Sequence, residues 1–232
     1  TEPAMAPYPW AEDYFREFSQ LEYDYVAYLY PRVQETHGRF INSVDGIRRS
    51  YEPSLPAGRE APVLWFFGGS TLWGEGQRDD HTIPSEVVRL AEAQGRPIRA
   101  RNYGAQGLTN YQETQIFAQL LVAGERPDLV VFYDGINDIA LQLQNALAQR
   151  DVAGEPGQLQ SDLIRQAMTQ AGVNGSAAPP SPLLPDNAPV PAGQVPLQSL
   201  VDDVVGVYAD GVELSINLGN TYGVPVLHYW QP

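Results

Sequence analysis

Three apolar runs constrain this chain more than any other feature: Val63-Leu64-Trp65-Phe66-Phe67, Leu129-Val130-Val131-Phe132-Tyr133 and Val224-Pro225-Val226-Leu227-His228-Tyr229. Each is short and lacks a polar face, which is how strands buried on both sides of a parallel sheet read. A weaker run near Ile98–Asn102 adds a fourth strand. Between and after them lie helical stretches at about 83–94, 110–122, 137–150, 159–170 and 197–220. In the last, Val201, Val204, Val205, Tyr208 and Val212 recur at helical spacing and form one apolar stripe. Alternating strands and helices require crossover connections, so the expected fold is a flavodoxin-like three-layer α/β/α sandwich with a doubly wound parallel sheet.

Two segments fall outside that alternation. Residues 1–60 read as an aromatic-rich extension packed on the main domain, 61–232. In the extension Tyr14, Phe18 and Leu21 stand at i, i+4 and i+7, which fits one short helix laying a stripe on the body. The alternative use of these aromatics is a sugar-binding platform, but rings at helical spacing ordinarily serve burial. Residues 172–196 hold seven prolines between Pro179 and Pro196 and little periodicity. They read as a surface insertion, with a substrate lid as the sharper alternative.

Composition narrows the function classes. With 43% hydrophobic and 18% charged residues, 232 residues are enough to build a core. A net charge of −14 argues against nucleic-acid binding and against docking on anionic membranes. There is no Cys, which removes disulfides, thiolate nucleophiles and Cys-based metal sites. No two His stand at ligand spacing, and no glycine run has dinucleotide or P-loop spacing, so neither a metal nor a nucleotide cofactor is expected. No apolar run reaches the length of a transmembrane helix. The start at Thr1 reads as N-terminal processing or trimming, which points to an exported protein.

Open α/β sheets bind ligands beyond the carboxyl ends of their strands, so the loops after the strands are the places to search. The first is Gly68-Gly69-Ser70-Thr71-Leu72-Trp73-Gly74, where a Ser at a strand-to-helix turn presents both its hydroxyl and its backbone N–H. The second is Asn102-Tyr103-Gly104-Ala105-Gln106-Gly107-Leu108-Thr109-Asn110. There a glycine can aim a bare N–H into a pocket, or the loop simply caps a helix with Thr109 or Asn110. The third is Asp134-Gly135-Ile136-Asn137-Asp138, in which Asn137 either caps the following helix or directs its amide at a developing oxyanion.

Taken together and in this order, Phe66-Phe67-Gly68-Gly69-Ser70-Thr71, Asn102-Tyr103-Gly104-Ala105-Gln106-Gly107 and Asp134-Gly135-Ile136-Asn137-Asp138 resemble the first three blocks of the SGNH (GDSL-type) serine hydrolases, in the Gly-Gly-Ser-Thr branch. Asp80-His81-Thr82-Ile83-Pro84 and Tyr229-Trp230-Gln231-Pro232 are similar to that branch as well. The resemblance implies esterase chemistry on a small-molecule or glycan-linked ester, with Ser70 as nucleophile. It also implies an oxyanion hole of the Ser70 N–H, the Gly107 N–H and the Asn137 side-chain amide.

The family's fourth block, an Asp-x-x-His pattern before a last helix, has no counterpart before Pro232. The resemblance therefore implies a sheet lacking its C-terminal strand and helix. None of the three histidines is an evident substitute: His228 reads as a packed strand residue, His81 as a surface or capping residue, and His37 lies in the extension. A Ser without a base is a poor nucleophile at neutral pH. The preferred expectation is a piece of a longer active esterase; the alternatives are a second polypeptide supplying Asp and His, and a non-catalytic acyl- or glycan-binding module.

Overall fold

A computed structural model describes residues 5, 7–26, 29–58, 60–140 and 197–231. The helix expected over 159–170, the proline-rich 172–196 and most of 137–150 lie outside these residues.

The apolar runs become the parallel heart of the sheet. β6 (Val63–Gly68) lies between β7 (Arg99–Asn102) and β8 (Leu129–Asp134), and β8 pairs in parallel with β9 (Val226–Trp230). Side chains alternate across the pleat, so Trp65, Phe67, Val130 and Phe132 point to one side. They pack there with Ile116, Phe117 and Leu121 of α4 (Asn110–Val122) and with Val224. Phe67 stacks on both Tyr103 and Phe132, with centroids 5.1 Å away in each case. Against the same layer lies α5 (Leu197–Tyr222). The opposite face carries α2 (Ser70–Trp73) and α3 (Ile83–Ala93), giving an α/β/α arrangement.

Two features go beyond the sequence reading. The sheet is mixed rather than purely parallel: β3 (Thr36–His37), β4 (Asn42–Val44) and β5 (Ile47–Arg48) continue it antiparallel beside β7, in the order β3-β4-β5-β7-β6-β8-β9. The chain before residue 60 therefore contributes strands to the central sheet. Ahead of them come α1 (Ala11–Phe18) and a separate hairpin of β1 (Tyr23–Val26) and β2 (Tyr30–Val33). The apolar stripe of α5 is also only partly buried: Val204, Tyr208 and Val212 are half-buried, whereas Val205 is 60% exposed.

The aromatic residues of the N-terminal part serve packing. Tyr14 and Leu21 are buried with Phe40, Ile41 and Trp73, and Phe18 lies against the same cluster. This second core reaches the underside of α2 through Trp73, which links the first sixty residues to the serine turn.

Candidate active site

β6 ends at Gly68, and α2 opens two residues later at Ser70. The turn places Ser70, half-buried, at the N-terminus of the short helix. Its Oγ and backbone N–H make no hydrogen bond among the described residues, so both face the space beyond the strand ends. The parallel ladder carries the second loop to the same place: Tyr103 N donates to Phe66 O at 2.8 Å, and Ala105 N to Gly68 O at 3.1 Å. Gly107 follows with φ +73°, a left-handed conformation that only glycine adopts without strain. Thr109 caps α4 through a capping box with Gln112, so the loop's capping reading holds for Thr109.

Asn137 lies in a helical turn over 136–140 that follows β8. Its Nδ2 donates to Leu108 O at 2.7 Å, which ties the third loop to the second. A methyl group on Gly69 would stand 2.3 Å from the same Nδ2, so glycine at 69 is what lets the asparagine amide sit beside the serine turn. An amide nitrogen carries two hydrogens, and Leu108 O uses one of them. The structure thus brings the Ser70 turn, the loop that carries Gly107 and Leu108, and Asn137 to the carboxyl edge of the sheet. Gln231 closes the group from the end of β9, donating its backbone N–H to Asp134 O at 2.7 Å and its side-chain amide to Thr71 Oγ1 at 2.8 Å.

None of the histidines joins them. His81 pairs with Glu86 at 3.0 Å and His37 with Glu35 at 2.9 Å. His228 is a strand residue, stacked on Phe132 at 4.7 Å and bonded through Nε2 to the buried Ser215 Oγ at 2.7 Å. Burial holds its pKa below the ordinary value.

The underside of α2 is held by Arg48 and Tyr14, which no motif marked, and by Asn102 from the second loop. Arg48, fully buried, donates through Nη1 to Trp73 O at 2.8 Å and Gly74 O at 2.7 Å, through Nη2 to Gln77 O, and through Nε to Asp79 at 3.1 Å. Its guanidinium also lies 4.0 Å from the Trp73 ring centroid. Asn102 adds bonds from Nδ2 to Leu72 O and Trp73 O, and Tyr14 Oη accepts from Gly76 N at 2.9 Å. Burial pushes the Asp79 carboxyl up, opposed by the bonds from Asn42 and by Arg48.

Behind Asn137 lies a group of three carboxyls, of which Asp134 and Glu113 are buried and Asp138 is half-buried. Asp134 Oδ1 accepts from Tyr208 Oη at 2.6 Å, and its Oδ2 from Asn110 Nδ2 at 2.8 Å. Asp138 accepts from Asn110 N at 3.2 and 3.3 Å. Glu113, fully buried, faces Asp134. Burial, compounded by the two aspartates, raises Glu113 well above the ordinary carboxylate range, so it holds its proton, and neither of its carboxyl oxygens has a hydrogen-bond partner among the described residues. Burial and Asp134 push Asp138 to about 7. Burial, with the bond to Asp134, likewise raises Tyr208.

The fold and site define an α/β protein with a serine turn, a glycine loop and an asparagine turn converging at the carboxyl end of a parallel sheet. No family profile and no curated protein matches the chain. Among solved structures it is similar to AlinE4, an SGNH-hydrolase family esterase, at 17% identity over 74% of this chain and 77% of that one, with a TM-score of 0.37. A mutant form of Axe2, an acetyl xylan esterase from Geobacillus stearothermophilus, gives 16% identity, 72% and 75% coverage and a TM-score of 0.35. The lipase/acylhydrolase from Enterococcus faecalis gives 17%, 71% and 74%, and 0.31.

Proposed function

We propose that this chain carries the nucleophile and oxyanion hole of an SGNH-type serine esterase. The observation that carries the reading is the asparagine amide seated against Gly69 of the serine turn and bonded to Leu108 O of the second loop. In this reading Ser70 Oγ attacks the ester carbonyl and gives up its proton to a base. The Ser70 and Gly107 N–H groups and the second Asn137 N–H stabilise the tetrahedral oxyanion. Collapse expels the alcohol, which takes the proton back, and water then releases the acid from the acyl-serine. In this reading none of the three histidines is that base, because each is engaged elsewhere.

The test is chemical rescue. Exogenous imidazole should restore p-nitrophenyl acetate hydrolysis by the chain in excess of a Ser70→Ala control, with acetyl trapped on the Ser70 peptide in mass spectra. Equal rates for the two proteins and an unmodified Ser70 would refute the assignment.

The placement of the histidines favours one alternative, a module that holds an acyl or glycan group at Ser70 and Asn137 without cleaving it. An acetylated sugar bound and recovered intact from the complete protein would mark that case.

A further inference from the structure

Asp138 follows Asn137 directly, and Asn110, its bonding partner, opens α4 three residues after Gly107. Two side-chain-to-backbone bonds therefore staple the second loop to the third: Asn137 Nδ2 to Leu108 O at 2.7 Å, and Asn110 N to the Asp138 carboxyl at 3.2 Å. The far side of that carboxyl is crowded. Asp134 faces it from β8, Glu113 from α4, and Tyr208 reaches the group from α5 through Asp134. None of the three carboxyls makes a salt bridge among the described residues.

We infer that Asp138 is a positioning residue for the oxyanion donors: drawn toward Asn110 N–H and pressed from behind by Asp134, its carboxyl sets the approach of the Gly107 loop to the Asn137 turn. The inference rests on the reading of Gly107 and Asn137 given above. Ionisation of Asp138 makes its bond to Asn110 N–H charge-assisted and hence stronger. It also adds repulsion against the buried Asp134. Both effects act on the two stapled loops, so Gly107 and Asn137 respond to one titration. Asp138 touches no reacting atom in this scheme, and its influence passes through Asn110 and the peptide linking it to Asn137.

The experiment is a pH titration by NMR of the isotopically labelled chain, following the Gly107 backbone amide and the Asn137 side-chain amide. In the unsubstituted protein both signals should move with one shared inflection near pH 7, where burial places Asp138. In Asp138→Asn the inflection should vanish. In Glu113→Gln, which keeps the bond to Asn110, it should persist and shift by up to about one unit. If Asp138→Asn fails to fold, the unsubstituted chain and Glu113→Gln decide the matter. Flat Gly107 and Asn137 signals while the Asp138 carboxyl carbon titrates would overturn the inference, as would an unchanged inflection in a folded Asp138→Asn. The readout needs no turnover: Ser70-independent hydrolysis would sink the esterase reading while leaving this titration to be judged separately.

Discussion

Replacing Arg48 with Met is the most demanding test of how the serine turn is held. The side chain is fully buried and ties three backbone carbonyls, Trp73 O, Gly74 O and Gln77 O, to the Asp79 carboxyl. Methionine fills similar volume but supplies no donor, so those carbonyls and Asp79 lose a charged partner together. Removing one member of a buried ion pair costs about 3–5 kcal/mol, because the remaining charge stays desolvated. In a chain of this size each kcal/mol lowers the melting temperature by about 2–4 °C, so a fall of roughly 6–20 °C is expected. Thermal unfolding followed by circular dichroism measures it. The double variant Arg48→Met/Asp79→Asn should recover part of the loss, since it removes the orphaned carboxylate while the new side-chain amide oxygen can still accept from Asn42 N. Hydrogen exchange should quicken first at the Gly74 and Gln77 amides and leave β8 protected. A melting temperature within about 2 °C of the parent, or no recovery in the double variant, would refute the idea that Arg48 anchors the turn.

Further outcomes follow from the same geometry. Asn137→Ala should cut the Ser70-dependent, imidazole-assisted rate about 10²–10³-fold with little change in melting temperature, as loss of one oxyanion donor does. Gly69→Ala should impair the same rate, because its methyl displaces the Asn137 amide; crystallography of the variant would show that side chain moved away from Leu108 O. For stability against pH, Asp138 and Glu113 have folded pKa values raised above those of the unfolded chain. Their contribution is complete below about pH 4 and is lost, for Asp138, as pH rises through about 7. Urea titrations should therefore show Asp138→Asn gaining stability on its parent between about pH 4 and 7, at up to about 1.4 kcal/mol per pH unit. An unchanged difference across that range would contradict the raised pKa. His228 has the opposite sign: its pKa is lowered, so its contribution is present above about pH 6.5 and lost on acidification, and His228→Gln should flatten that limb.

How much of this was legible in the sequence depends on whether the signal was local. The strands of the parallel sheet announced themselves because burial on both faces demands uninterrupted apolar runs, and α4 falls on the expected residues 110–122 for the same kind of reason. The loops with Ser70, Gly107 and Asn137 were singled out because ligands of open sheets bind at strand ends and because the three blocks in order resemble one family, and the fold brings those loops to one edge. β3, β4 and β5 were not legible. They are two or three residues long, with no room for a period to develop, and the sheet edge they join is specified by β7, about fifty residues away. Arg48 was invisible for a related reason. A lone arginine in a polar stretch reads as solvent-exposed, and only the fold reveals carbonyls of residues 73, 74 and 77 converging on it. Val201 and Val205 show the converse error, since helical periodicity records a stripe without recording what covers it.

The carboxyl group behind Asn137 joins these two kinds of information. Asp134 and Asp138 flank the third loop and are visible there as polar residues at a strand end, whereas Glu113 looks from its spacing like an ordinary residue in the first turn of α4. Burial converts it into a neutral acid beside two aspartates, an arrangement that stores unfavourable ionisation energy next to the site rather than in the distant core. A chain selected for stability alone would gain by replacing Glu113 with Gln, which keeps the shape of the side chain and sheds a titratable group. If Glu113→Gln raises the melting temperature at pH 8 while moving the shared Gly107 and Asn137 titration, the carboxyl is kept for the site at a cost to the fold. If it lowers the melting temperature and leaves those signals untouched, Glu113 is a packing residue, and the energy stored behind Asn137 has no bearing on Ser70.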